Sequence, residues 1–274
     1  MLDFKINKEE CTQCGLCVKE CPVSIIELSD FPQIKDGKEK NCLKCQHCLA
    51  VCPTGALSIL RKDPQNSMSI NGGFPKAEEL TRLIKTRRSI RKYKDEDVDK
   101  TLIHEILDTA LHAPTGHNSN SVLFSVIDNK ADLAKFREIA YNAIKKHALE
   151  GTIPDKYKYL SKIQQVWEKK GIDIIFRNAP HMLIATCSST VSSPVEDSII
   201  ALSYFELLAN SNGIGTLWNG MINWTINNIA TELKECLALP KDHIFGYSLI
   251  FGKPATKYAR GIQLEGNHIN TISL

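Results

Sequence analysis

The sequence predicts an α+β protein of two unequal domains, and three observations lead there. The chain has 274 residues, more than the roughly 100 to 200 residues of one typical domain. Eight of its ten cysteines lie between residues 11 and 52, so the first part of the chain follows a different composition from the rest. From residue 80 onward, helical and strand patterns are mixed without the regular βαβ rhythm of a doubly wound sheet. The expected organisation is a cysteine-dense domain over 1–62, a linker over 63–79, and a mixed sheet flanked by helices over 80–274.

Composition narrows the function. Hydrophobic residues at 43% and charged residues at 24% describe a globular chain with material for a sizeable core, and a net charge of +3 is too small to imply nucleic acid. No segment approaches 18 uninterrupted apolar residues, and the opening "MLDFKINKEE" has no apolar run beside a basic flank. A cytoplasmic protein without a membrane or nucleic-acid partner is therefore expected. Dense cysteines in a small secreted chain would suggest disulfides; in a chain of this length they point to metal or cluster ligation.

The first element is a repeat. "CTQCGLCVKECPVS" recurs as "CLKCQHCLAVCPTG", with each cysteine and its following proline displaced by 31 positions, so both copies read C-x2-C-x2-C-x3-C-P. Thiolates two residues apart on a tight turn can converge on one cubane, with the fourth cysteine starting a short helix aimed at another cluster. Paired C-x2-C spacings also occur in zinc sites, but a four-ligand zinc site has no use for the third cysteine and C-P in both copies. Over residues 1–62 the sequence resembles a bacterial two-cluster ferredoxin. That resemblance implies one [4Fe-4S] cluster on Cys11, Cys14, Cys17 and Cys52, and a second on Cys42, Cys45, Cys48 and Cys21. Gly15, Gly55 and Ala56 are small enough to let backbone amides approach cluster sulfurs. Cys187 and Cys236 sit in apolar contexts and are expected in the core.

The linker "PQNSMSINGGFPKAEE" is rich in Pro, Asn, Ser and Gly. After it, "LTRLIKTRRSIRKY" opens the second domain. "DVDKTLIHEILDTALHAP" has apolar residues at helical spacing, with Asp99 as the cap and Pro114 beyond the end. "SVLFSVID" reads as a strand over 121–128, followed by helices over about 130–148 and 156–170 and a strand "HMLIATCS" over 181–188. The helix from about Val195 to Asn210 is apolar around most of its circumference and needs more than one covering surface. Another helix is expected near 226–237, and "HIFGYSLIFGK" over 243–253 is a strand.

The glycine run "NGIGTLWNG" fails G-x-G-x-x-G and follows a helix, which excludes a Rossmann site; no Walker sequence is present. Four separated signatures remain: "TRRSIRKY", "APTGHNSNSVLFSVI", the apolar helix passing into "GIGTLWNG", and "FGKPATKYAR". In this order they resemble the FMN-dependent nitroreductase family over about residues 78–265. The resemblance implies a mixed sheet flanked by helices and an FMN phosphate gripped by Arg87, Ser89 and Arg260, with Arg88 and Lys257 as further contacts. It also places Arg91 at the pyrimidine edge of the isoalloxazine, Asn118 in a hydrogen bond to the ring, and Gly220 and Met221 beside flavin N5 and O4. Guanidinium forks suit phosphate, and missing side chains permit close approach. The family's N-x-Q-P-W is absent: Asn118 is followed by Ser119, Asn120, Ser121 and Val122. His117, Trp218 and Trp224 are candidate lining residues.

The resemblance further implies a homodimer with FMN in the interface, in keeping with the apolar helix at 195–210. A ferredoxin domain fused to a flavoprotein suggests electrons from an external low-potential donor, passing through two clusters to FMN and on to a small oxidised acceptor of nitroaromatic, quinone or enone type. The chemistry would reside on the flavin, and no side chain is assigned as catalytic. Two alternatives stand beside this reading: direct reduction of FMN by NAD(P)H with the clusters as a side path, and a non-enzymatic redox relay or sensor.

Overall fold

The computed structural model describes residues 2–266 and 268–274. The chain divides into two compact units, Met1–Pro75 and Lys76–Leu274.

The first unit contains β1 (Lys5–Ile6), α1 (Leu16–Lys19), β2 (Ile26–Leu28), β3 (Pro32–Ile34), α2 (His47–Ala50) and β4 (Leu57–Ser58). The sequence repeat is also a backbone repeat. Helices α1 and α2 begin 31 residues apart, at Leu16 and His47, and left-handed residues recur at Gln13 and Lys44 (φ 54° and 55°) and at Gly15 and Gln46 (φ 73° and 60°). β1 pairs antiparallel with β4, and β2 with β3. The strand preceding each cysteine set thus pairs with the strand following the other set, so the halves interlock. Leu2, Ile25, Ile26, Leu49, Leu57 and Ile59 form the unit's apolar core. One expectation is corrected: the fourth cysteine of each set, Cys21 or Cys52, follows its four-residue helix, while the third, Cys17 or Cys48, lies within it.

The second unit is α+β, as expected. Its elements are α3 (Ala77–Thr86), α4 (Lys100–Ala110), β5 (Val122–Ile127), α5 (Lys130–Leu149), α6 (Tyr159–Lys170), β6 (His181–Ser188), α7 (Pro194–Ser211), β7 (Gly215–Trp218), α8 (Gly220–Trp224), α9 (Leu233–Cys236) and β8 (His243–Gly252). Helix α3 begins at Ala77, ahead of the expected boundary at residue 80. Asp99 caps α4 by accepting from the Leu102 N–H at 3.0 Å. The strands form one sheet in the order β5-β6-β8-β7, antiparallel throughout.

Every residue of β6 except Ser188 is buried, because the sheet is covered on both faces. On one side Met182, Ile184 and Ile250 pack with Leu133, Phe136, Ile144 and Leu160 of α5 and α6. On the other, Leu183, Ala185, Leu249 and Phe251 pack with Ile103 and Ile106 of α4 and Leu202 and Phe205 of α7. The helix expected near 226–237 is broken. A π-type turn over Thr225–Ile229 follows α8, and Ala230 leaves helical geometry. The Thr225 and Asn228 side chains bond back to Met221 O and Trp224 O, local bonds that compete with a regular helical ladder. Cys187 is buried as expected, whereas Cys236 is exposed, since the short α9 ends at the surface. Among the described residues no helix is long and apolar enough to cross a membrane.

Candidate functional site

In the first unit, Cys11, Cys14, Cys17 and Cys52 line a single cavity together with Gly15, Ala56 and Leu57. The interlocked strands explain how Cys52 joins a set 35 residues earlier in the chain: the Asn7 N–H donates to Ala56 O at 2.8 Å, and the Cys11 N–H to Asn7 O at 3.0 Å. Four tetrahedral zinc ligands at about 2.3 Å from the ion would bring their sulfurs within roughly 4 Å of one another. Here the thiols surround a cavity, and among the described residues no three His, Cys, Asp or Glu side chains are spaced for a single ion.

Two further observations fit a cluster. Backbone amides reach the sulfurs: the Leu16 N–H holds the Cys14 thiol below its ordinary pKa, and the Lys44 N–H donates to Cys42 Sγ at 3.3 Å. Burial pushes Cys17 up and Cys48 up to about 11. Such thiols hold a negative charge only beside a cation, which ligated iron supplies.

In the second unit, Arg87, Arg88 and Lys257 meet on the wall of a 350 Å³ cavity that also includes Thr86, Ile90, Asn210, Pro254 and Thr256. No carboxylate lies on that wall, so the cavity offers cations and hydroxyls to an anion. Its architecture follows from strand β7, at the sheet edge. Ser89 bridges Thr216 in parallel, and the Ile90 N–H donates to Thr216 O at 2.9 Å, so the arginine segment lies along β7 as a short extra strand. That approach requires Gly215. A Cβ there would overlap Ile90 Cγ1, 2.8 Å from Ile90 Cβ and 3.0 Å from Pro254 Cγ. Gly215→Ala is therefore expected to push the segment off β7, costing about 1–3 kcal/mol in urea unfolding and weakening anion binding in parallel.

Gly220 and Met221 lie past the other end of β7, which at about 3.3 Å per residue separates them from Gly215 by more than 10 Å. Asn219 fixes this turn. It is 2% exposed, accepts from the Ile222 N–H at 3.2 Å, donates through Nδ2 to Ile175 O at 3.1 Å, and donates its N–H to Ser248 O at 2.9 Å. A Cβ on Gly220 would come within 3.0 Å of Tyr247 Oη and 3.3 Å of the Trp224 ring, so a side chain there would crowd both rings. Trp218 packs on Tyr247 with ring centroids 5.4 Å apart, and Trp224 stacks on Tyr157 at 5.8 Å.

The remaining residues are dispersed. Arg91 and Arg260 are exposed and not on the cation cavity; Arg91 Nη1 donates to Ser89 O at 3.3 Å. Asn118 lies in the loop before β5, the opposite edge strand from β7, so one chain does not bring it together with Arg87 or Gly220. Its loop is strained. His117, Asn118 and Asn120 all have left-handed φ (51°, 54° and 47°), a conformation uncommon for residues other than glycine. Buried Asp197 holds it there, accepting from the Gly116 N–H at 2.9 Å and from Ser119 Oγ at 3.4 Å. His117 Nδ1 lies 3.3 Å from Ser192 Oγ. Sequence reasoning missed Asn219, Asp197 and Glu206, since nothing local marks a polar residue as buried against a distant segment.

The profile described as "Nitroreductase family" matches residues 84–253, most of the chain. The chain belongs to the nitroreductase family. A 4Fe-4S dicluster domain matches residues 10–57, so this family member carries an N-terminal ferredoxin-type domain. A protein of Methanothermobacter thermautotrophicus, provisionally described as an NADH dehydrogenase/NAD(P)H nitroreductase, is 29% identical over 194 residues, covering 69% of this chain and 84% of that protein. A ferredoxin-like protein in the nif region of Sinorhizobium fredii is 43% identical over 54 residues, 18% of this chain and 84% of that protein. A crystal structure of a nitroreductase with bound FMN from Bacteroides fragilis shares the fold at a TM-score of 0.58 and 20% identity, covering 71% of this chain and 99% of that one. Another, from Desulfitobacterium hafniense, gives 0.56 and 22%, covering 71% and 98%. Both are likenesses of fold.

Proposed function

We propose that this nitroreductase-family protein is an iron–sulfur flavoprotein oxidoreductase that passes electrons from a low-potential donor through two [4Fe-4S] clusters to FMN and on to a small nitroaromatic, quinone or enone. The observation that carries this reading is the presence, on one chain, of a four-cysteine cavity and a cation cavity linked by a strand to a glycine turn. Bound FMN would supply the exchange between single electrons and electron pairs. Around it, Arg87, Arg88 and Lys257 would bind the phosphate, Ser89 would add a hydroxyl, and the Gly220 turn, pinned by Asn219, would leave room for the ring. Arg91, Arg260 and Asn118 are assigned to the same ligand from the family resemblance.

A second copy completes the arrangement in this reading. Val195, Ile199, Ile200 and Tyr204 of α7 and Leu80 and Ile84 of α3 are exposed apolar side chains at helical spacing, a surface suited to a homodimer. The partner would supply the Asn118 loop that one chain holds at its far edge.

The relative described as an NADH dehydrogenase/NAD(P)H nitroreductase favours a second reading, in which NAD(P)H reduces FMN directly. Anaerobic reduction followed at flavin and cluster wavelengths, with reduced ferredoxin, NADH or NADPH as separate donors, distinguishes the two. Bleaching of both chromophores by reduced ferredoxin alone, and reoxidation by a nitroaromatic or quinone, is the expected result. Bleaching by NAD(P)H as fast as by ferredoxin would favour the second reading, and a reduced flavin inert to every small acceptor would overturn the oxidoreductase reading.

A further inference from the structure

The cavity wall carries three cations and no acid, yet one carboxylate stands directly behind it. Glu206, inside α7, has a side chain only 8% exposed, and its Oε1 lies 3.4 Å from Arg87 Nη1. The same oxygen accepts from Thr216 Oγ1 at 3.2 Å, and that hydroxyl accepts from Asn210 Nδ2 at 3.1 Å. Asn210 also donates to Glu206 O at 2.8 Å and lines the cavity. Arg87 is thus held from behind by a buried acid that is itself tied to β7, the strand leading from the cavity to the Gly220 turn.

A buried carboxylate is costly to keep without partners, and beside an anion site it is doubly unfavourable, because its charge repels the ligand. Charge alone argues for its absence, so its presence calls for a geometric reason. Arg87 is about one-third exposed; without an anchor its long side chain would pay rotamer entropy each time it met a ligand. We infer that Glu206 is a positioning residue for phosphate recognition: it fixes one guanidinium nitrogen of Arg87 so that the remaining N–H donors are preorganised for the phosphate of FMN. This rests on the reading of Arg87 as a phosphate contact.

The two effects of Glu206 have opposite signs, which makes the test decisive. Dissociation constants for FMN and for riboflavin, which lacks the phosphate, are measured by flavin fluorescence on the full chain freed of flavin. Glu206→Met is expected to weaken FMN about tenfold or more and leave riboflavin unchanged. Glu206→Gln keeps an acceptor oxygen and is expected to stay within about threefold of the parent. Arg87→Ala should lower the preference for FMN over riboflavin at least as far, with no further loss when combined with Glu206→Met. Thr216→Val removes the second hold on the carboxylate and carries the test if Glu206→Met does not fold; it should lower the FMN preference in the same direction.

Tighter FMN binding in the Glu206 variants would mean that charge outweighs positioning, and an equal loss of FMN and riboflavin would mean general damage; either overturns the inference. If Arg87→Ala lowers the preference while Glu206→Met and Thr216→Val do not, the inference alone fails. If Arg87→Ala leaves the preference intact, the phosphate reading of Arg87 fails and this inference with it.

Discussion

Replacing Cys11 or Cys42 with alanine is expected to remove one cluster, lower the iron content by roughly half, and stop a low-potential donor from bleaching the flavin. The first unit depends on its clusters for more than electron transfer. Its apolar core is small, built around Leu2, Ile25, Ile26, Leu49, Leu57 and Ile59, and a unit of this size gains only a few kcal/mol from such a core. Ligand binding that forms only in the folded state contributes folding energy directly. Proteolysis within the first unit should therefore accelerate in either variant. The interlocked pairing of β1 with β4 adds a sharper expectation. Cys52 lies in the second repeat but on the wall of the Cys11, Cys14 and Cys17 cavity. Cys52→Ala should leave the same residual cluster spectrum as Cys11→Ala; a spectrum matching that of Cys42→Ala would overturn the ligand assignment.

Asp173→Ala is expected to destabilise the second unit by about 3–5 kcal/mol, the cost of breaking a buried ion pair, and to weaken flavin binding as a consequence. The Asp173 side chain is wholly buried, with Oδ2 2.9 Å from Arg137 Nε. Its oxygens accept from Tyr141 Oη at 2.9 Å, from the Phe176 N–H at 2.8 Å and from the Asn178 N–H at 2.9 Å. Tyr141 Oη in turn accepts from the Ile174 and Ile175 N–H groups at 3.1 Å. One carboxylate therefore organises the whole segment before β6, and Ile175 O in that segment receives the Asn219 amide that fixes the Gly220 turn. Losing Asp173 leaves Arg137 and the buried Phe176 amide without their acceptor. The thermal midpoint should fall by roughly 10 °C, read by calorimetry on the full chain. A loss below about 1 kcal/mol, or unchanged FMN affinity, would show that the segment does not depend on this network.

The candidate sites were legible in the sequence to different depths. The cysteine repeat could be read in full because cluster ligation is written in spacing: C-x2-C-x2-C is a local turn geometry, and the backbone repeats it at Gln13 and Lys44 and at Gly15 and Gln46. The arginine segment and the glycine turn could be found as motifs, but not their geometry. β7 escaped detection because Gly215–Trp218 is too short to show alternation, and it exists through pairing with β8 and bridging by Ser89. The helix expected near 226–237 broke because Asn and Thr side chains bonded back to the backbone, an outcome that hydrophobic periodicity does not register.

What the sequence determined by itself is whatever depends on neighbours a few residues apart: the cluster-binding turns, the apolar α7, the helix cap at Asp99 and the strands β5, β6 and β8. Only the tertiary structure decided that Glu206 stands behind Arg87 across 119 positions of chain, that Asp173 braces the turn at Asn219, and that Asn118 lies at the opposite sheet edge from Arg87. The reason is physical. A buried polar group is stable only with its partner in place, and that partner is chosen by the packing of distant segments, which no local pattern specifies.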